Sequence, residues 1–371
     1  MIDLKIHEHY PLREITTFRI GGTARYFIEI HSVNELLSAL HFSRVSHLQF
    51  YIVGEGSNLF VSDRGFDGLI LKMRLLGREI VEEDAQSVLV KSAAGESWDE
   101  FVAHTVNAGW WGIENLSFIP GSTGAFAVQN VGAYGQEASD VIEYIDAYDV
   151  ETRSRERLVL EECKFSYRTS IFNSQIRARY IILNTFFRLQ KYGRPVLEYS
   201  ELQRALGGVQ GAPTLQDIRE AIGEIRWRKL PDIEELGSAG SFFKNFFLTP
   251  EEFRLVCTRL ARHVGSKASK QVAERCKRVN ANELTAIKLP TALLLDVCGL
   301  QGLRVGGAAL YHKHPLIIVN ETGNATASDV MKLVKHVRHR ISRNTGLQIV
   351  PEPNLLGFTS EELREYFGVS A

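Results

Sequence analysis

Between residues 33 and 43 the segment VNELLSALHFS sets Val33, Leu36, Leu37 and Leu40 at three- and four-residue intervals, which places them on one helical face and predicts an amphipathic helix. The apolar run LQFYIV at 48–53, stopped by Gly54, predicts a buried strand. A helix feeding a strand indicates an α/β beginning. Further strands are expected at 68–72 (GLILK), 87–91 (SVLVK), 142–150 and 180–189, with a glycine-rich stretch at 121–135 among them, so the middle of the chain reads as strand-rich. After Pro213, TLQDIREAIGEIRWRKL carries Leu215, Ile218, Ile222 and Ile225 at helical period and is ended by Pro231. Near the C-terminus, SDVMKLVKHVRHRI aligns Val330, Val334, Val337 and Ile341, with Thr326 or Ser328 as cap and Asp329 in the first turn. The fold class expected from this order is α+β.

Charge changes the picture by exclusion. With 43 Lys+Arg against 44 Asp+Glu the net charge is -1, so Lys332, Lys335, Arg338, Arg340 and Arg343, and the basic run at 259–278, read as solvated helix faces and no nucleic-acid partner is expected. Cys163, Cys257, Cys276 and Cys298 are too far apart for a zinc site. Neither His336 with His339 nor His312 with His314 has a carboxylate or thiol at ligand spacing, so no metal is expected. The N-terminal MIDLKIHEHYPLREITTF lacks a basic head followed by an apolar stretch, and no run approaches the roughly 18 apolar residues of a membrane span. A cytoplasmic protein with free thiols and no membrane partner is expected. A length of 371 residues predicts two or three cores.

Two segments carry candidate chemistry. The strand at 48–53 runs into GEGSN, where Gly54 and Gly56 allow close backbone approach and Ser57 and Asn58 add polar groups, a composition suited to an anion-binding nest. It is not a P-loop, because no GK[ST] follows, and Leu59 occupies the third glycine of GxGxxG. Alone, it reads better as an ordinary strand-ending turn. The second segment, IPGSTGAFAVQNVGAYG, holds Gly121, Gly124, Gly132 and Gly135 together with Ser122, Thr123, Gln129 and Asn130. Each glycine adds chain entropy that folding must remove, and a ligand touched by the backbone itself would account for so many. The pair suggests a long, phosphate-bearing cofactor.

GEGSN, IPGSTGAFAVQNVGAYG, YRTSIF and AGSFFKN, in this order and spacing, resemble the flavoenzyme family of UDP-N-acetylenolpyruvoylglucosamine reductases, and the likeness runs from TTFRIGG at Thr16 to PEPNLLG. The resemblance implies FAD-binding domains of vanillyl-alcohol-oxidase type and a C-terminal substrate domain. FAD would be held by Gly54, Glu55, Gly56, Ser57, Asn58, Pro120, Gly121, Ser122, Gly124, Ala125, Gln129, Asn130, Gly132, Ala133 and Tyr134. The implied reaction has NADPH reduce FAD, and the flavin then pass hydride to the enolpyruvyl ether of a UDP-sugar. The product is UDP-N-acetylmuramate, for peptidoglycan precursor synthesis and hence cell-wall biogenesis, cell shape and division.

Hydride addition to the methylene carbon leaves negative charge beside the carboxylate, so such a site needs fixed positive charge, hydrogen-bond donors and one proton. By resemblance Arg168 faces the carboxylate, Ser241 gives the proton, and Glu352 stabilises the enol-like intermediate. Tyr167, Tyr199, Lys229 and Asn245 match substrate-binding positions, with Tyr199 on a mobile loop that closes over the diphosphate and Lys229 its basic partner. Pro353 and Asn354 replace the family's valine and arginine, Thr16 its asparagine, and Ala127 and Phe246 two prolines. No second dinucleotide fingerprint is present, so NADPH and the UDP-sugar are expected to use one flavin face in turn, with ping-pong kinetics. Three domains are expected, 1–74 with 345–371, 75–217 and 218–344, in a monomer. The alternatives are an FAD-dependent oxidase of a sugar or hydroxy acid on the same fold, and a non-catalytic phosphate binder.

Overall fold

A computed structural model of the chain describes residues 4–174, 179–276, 278–281 and 284–369. The backbone forms two compact units, each assembled from several stretches of sequence. The first takes the chain up to Tyr10, Ala24–Glu55 and Asp67–Lys229; the second takes Pro11–Thr23, Gly56–Phe66 and everything from Leu230. Both mix helix and sheet, as the α+β expectation requires. Among the described residues no helix is long and apolar enough to cross a membrane.

In the first unit a four-stranded sheet runs in the order His7–Pro11, Thr23–Ile30, Phe66–Met73 and Phe50–Val53, with Val53 opposite Lys72 in the parallel last pair. The helix Val33–Val45 buries Leu36 and Ala39 and is capped by Ser32, whose side chain accepts from the Glu35 N–H. A second sheet orders Ser154–Val159, Ile142–Asp149, Tyr180–Gln190, Ser87–Ala93 and Arg78–Glu83, antiparallel throughout. Its central strands bury Val88, Val90, Ile145 and Phe187 against Phe101 and Trp98. Trp98 stacks on Phe126 with ring centroids 3.8 Å apart. The helix Leu215–Lys229 buries Ile218, Ile222 and Ile225 against Leu202 and Leu206. The expected boundary between 217 and 218 therefore falls inside one helix, whose apolar stripe needs this unit for cover.

The second unit carries a sheet ordered Gly237–Ser241, Ile317–Asn320, Ala308–Leu310 and Arg304–Val305. Helices Pro250–His263, Ser266–Arg275, Thr291–Val297 and Ala327–Thr345 also belong to it. The last of these buries Val330, Val334, Val337 and Ile341 completely. Of its two candidate caps Thr326 is the one used, its Oγ1 accepting from the Asp329 N–H at 3.1 Å. The Asp63 carboxylate adds to this start, accepting from the N–H groups of Ala327 (2.7 Å) and Ser328 (3.0 Å) where the helix dipole favours negative charge. Phe60 sits fully buried among Phe18, Phe242, Phe358 and Phe367, at centroid separations of 5.0 to 6.1 Å. The strand Asn354–Leu356 lies parallel to Leu59–Val61, and both strands belong to this unit.

Candidate active site

In the first unit the glycine-rich segment is a short helix entered by a turn. Gly121 has φ +144, Thr123–Gln129 is helical, and Asn130 ends the helix in the left-handed region at φ +43. The helix start is fastened to the end of the strand Ser87–Ala93. Thr123 N–H donates to Glu96 O (2.9 Å), Thr123 Oγ1 to Ala93 O (2.6 Å) and Gly124 N–H to Ala94 O (3.1 Å). The two glycine segments meet: a Cβ on Gly54 would stand 2.4 Å from Ser122 Oγ. A Cβ on Gly124 would stand 2.8 Å from Ala94 Cβ, and one on Gly132 2.7 Å from the Glu137 side chain. The sequence suggested that a bound ligand accounts for these glycines; at these three positions chain packing already requires them, because the neighbouring atom belongs to the protein itself. Glu55 forms ion pairs with Lys72 (3.5 Å) and Arg74 (2.9 Å). Burial pulls the Lys72 ammonium below its usual value and Arg74 adds to this, while Glu55 opposes it.

The Tyr167–Asn173 block is stitched onto the same segment. Arg168 adopts φ +55, and its guanidinium donates to Gly132 O (2.7 Å) and Asn130 O (3.4 Å) and lies 5.2 Å from the Tyr167 ring centre. Ser170 Oγ donates to Val128 O at 2.7 Å and accepts from the Phe172 N–H. Gln129 is buried, Ala125 and Ala133 are half-buried, and Pro120 is exposed. Tyr134, at φ +50, packs edge-on to Tyr199 with centroids 5.2 Å apart, and its hydroxyl is hydrogen-bonded by Arg226. Burial holds the Tyr134 and Tyr199 hydroxyls above the usual phenol range. Lys229, at the end of its helix, is ion-paired with Glu201. Arg226, Glu201 and Asn115 escape a reading of the sequence, since no local pattern announces them. Asn115 is fully buried; its Nδ2 donates to Tyr134 O and Val196 O, both at 2.8 Å, while its Oδ1 has no hydrogen-bond partner among the described residues.

In the second unit the remaining candidates converge on the strand Gly237–Ser241 and the chain that follows it. Ser241 is half-buried and precedes Phe242 and Phe243, which are 0% and 1% exposed. Phe242 N–H donates to Leu316 O (2.7 Å), and its own carbonyl accepts from the Glu352 N–H (2.9 Å). Phe243 pairs antiparallel with Pro351, and Lys244 N–H donates to Val350 O at 3.0 Å. The backbones bearing Ser241 and Glu352 are therefore adjacent. Pro353 leaves this pairing intact, because the donor in use is the N–H of Glu352 itself. Asn58 joins them: its Nδ2 donates to Glu352 O (3.5 Å), and its carbonyl accepts from the Asn354 N–H (3.0 Å). Asn245 Oδ1 accepts from the Thr291 N–H at 3.1 Å, where the helix Thr291–Val297 begins. Gly56, at φ +67, has no room for a side chain, since a Cβ would lie 2.1 Å from Ile15 O. Beside it, Thr16 is 5% exposed and its Oγ1 has no hydrogen-bond partner among the described residues.

The orphaned Thr16 hydroxyl next to GEGSN and the orphaned Asn115 carbonyl behind the Tyr134 turn are buried polar atoms with hydrogen-bonding capacity left over. In the second unit the Thr16 hydroxyl suits a phosphate oxygen, and in the first the Asn115 amide oxygen suits a hydroxyl or ring N–H; each taken by itself is compatible with an atom that FAD carries.

Comparison with known proteins bears on family and fold. Residues 24–154 match the FAD binding domain family, and residues 232–356 match the C-terminal domain of UDP-N-acetylenolpyruvoylglucosamine reductase. The reductase of that name from Flavobacterium johnsoniae is 33% identical over 357 residues, 95% of this chain and 100% of its own. The one from Neisseria gonorrhoeae is 35% identical over 348 residues, covering 93% and 96%. The crystal structure of the Thermus caldophilus enzyme, at 22% identity, superposes with a TM-score of 0.63 over 96% of this chain and 100% of its own, which speaks to fold. With identity above 30% along almost its entire length, the chain belongs to the UDP-N-acetylenolpyruvoylglucosamine reductase family.

Proposed function

We propose that this chain is the FAD-dependent, NADPH-consuming reductase that converts the enolpyruvyl ether of UDP-N-acetylglucosamine to the lactyl ether of UDP-N-acetylmuramate in the cytoplasm. Two kinds of support carry it: full-length family membership, and the pinning of Glu352 by its 2.9 Å hydrogen bond to Phe242 O, directly after Ser241. FAD, when bound, would supply the hydride chemistry, held by the glycine segments.

The chain's own groups do the rest. Arg168 offers a planar, always-charged donor set suited to a carboxylate, and its contacts with Asn130 O and Gly132 O fix the plane before substrate arrives. Ser241 Oγ delivers the proton: an alcohol is a weak acid in water, but a nascent carbanion is a far stronger base, and a strand end gives the hydroxyl a fixed position. Glu352, held through its backbone, stabilises the enol-like intermediate. Tyr199, Lys229, Tyr167 and Asn245 bind the UDP-sugar. The test is Ser241→Ala assayed in two halves by stopped flow. Flavin reduction by NADPH should persist, while reoxidation by the enolpyruvyl UDP-sugar falls by about 10²- to 10⁴-fold. Equal loss in both halves would make Ser241 a structural residue.

A further inference from the structure

Glu201 is the second residue of the helix Ser200–Ala205, immediately after that helix's cap, Tyr199. Its carboxylate accepts from Lys229 Nζ and, at 2.9 Å, from Arg228 Nη2. Glu201's side chain is only 12% exposed, whereas those of Lys229 and Arg228 are 40% and 66% exposed. Two cations thus share one sheltered anion. Burial pushes the Glu201 carboxyl upward, but hydrogen bonding and charge from Lys229, then Arg228, outweigh it and hold the group below the usual carboxylate range, ionised at neutral pH. The neighbouring Tyr199 hydroxyl is raised first by its own burial and next by this negative charge, with Arg204 opposing. Tyr134 and Arg226 complete the polar groups facing the cluster.

The arrangement is that of an anion site whose anion is already supplied by the chain. We propose that Glu201 is an internal counter-anion which the diphosphate of the UDP-sugar must displace from Lys229, and that this competition selects for two linked phosphates over singly charged anions. The inference rests on the substrate reading above and deepens it. A tethered carboxylate competes at an effective concentration in the millimolar range, so a free monoanion of equal charge gains nothing by replacing it. A diphosphate brings at least twice the charge and several oxygens to span both cations, which the carboxylate cannot match.

The test uses the FAD-loaded full chain and calorimetric titration with UDP, inorganic pyrophosphate and acetate. Glu201→Gln should bind UDP and pyrophosphate about three- to tenfold more tightly, the scale of one partly sheltered ion pair, and narrow the preference for pyrophosphate over acetate. In a Lys229→Gln background the same substitution should have a smaller effect, because only the Arg228 partner remains to be released, an outcome a general packing role would not produce. Unchanged or weaker pyrophosphate binding in Glu201→Gln, especially if Glu201→Asp restores it, would show that Glu201 supports Lys229 and would overturn the proposal. So would absence of pyrophosphate binding to both proteins. Wild-type protein that binds pyrophosphate yet is not reoxidised by the enolpyruvyl UDP-sugar overturns the proposed reaction instead, while the Glu201 comparison stays readable.

Discussion

Gly124→Ala separates chain packing from helix propensity, because the two predict opposite signs. Gly124 lies inside the helix Thr123–Gln129, where alanine in place of glycine is worth about 1 kcal/mol in favour of the helix. Its added Cβ, however, meets Ala94 Cβ at 2.8 Å and Ala94 O at 3.1 Å, where ordinary contact begins at 3.4 Å. Ala94 cannot easily recede, since it is 3% exposed and its N–H donates to Leu183 O at 2.9 Å. Nor can the helix retreat without stretching the bonds from Thr123 and Gly124 to Glu96, Ala93 and Ala94. Overpacking of this kind costs about 1–3 kcal/mol, and a strained backbone bond about 1 more, so the net change is a loss of about 1–3 kcal/mol. Urea unfolding followed by tryptophan fluorescence reports on the right place, because Trp98 stacks on Phe126 of this helix. Gly208→Ala, with nothing within 4 Å of its added Cβ, is the control and should lie within about 0.5 kcal/mol of wild type. A Gly124→Ala midpoint at or above wild type, with the control unmoved, would refute the packing argument.

Two further outcomes are expected. Phe60→Ala, which empties the centre of the Phe18–Phe242–Phe358–Phe367 cluster, should cost about 3–5 kcal/mol, read as a lowered urea midpoint. Asp149 accepts from Arg179 Nε (2.9 Å) and Nη2 (2.8 Å) and from the N–H groups of Glu151 and Thr152. Burial raises its carboxyl, but these bonds prevail and set it below the usual range. Its stabilising effect is therefore present at neutral pH and lost as pH falls through the lowered value, so Asp149→Asn should lower Tm at pH 7 and flatten the decline of Tm below about pH 4.

What the sequence reveals depends on the range of the interaction. The helices Val33–Val45, Leu215–Lys229 and Ala327–Thr345 are legible because each buries an aliphatic stripe, and Thr326 with Asp329 announces a capping box. The helix Thr123–Gln129 is not, since TGAFAVQ has weak helix formers and is held by bonds to a strand distant in sequence. The strand Arg78–Glu83 exposes every side chain, so no alternation marks it. At the candidate site the motif residues are legible one by one through family likeness. The adjacency of Ser241 and Glu352 is not, because antiparallel pairing between Phe243 and Pro351 leaves no local signature. Glu201 looks like any solvated helix residue until Lys229 and Arg228 arrive from another helix.

The parallel pairing of Asn354–Leu356 with Leu59–Val61 also governs how the molecule can be made. A ribosome releases Leu59–Val61 well before the strand that completes it, since Asn354 pairs with Leu59 across 295 positions of chain. Until then Phe60 lacks Phe358 and Phe367, leaving aromatic surface open to chaperones or to self-association. Loss of Asn354–Leu356 would leave Leu59–Val61 without its parallel partner and remove the Asn354–Asn58 bond that stands beside Glu352.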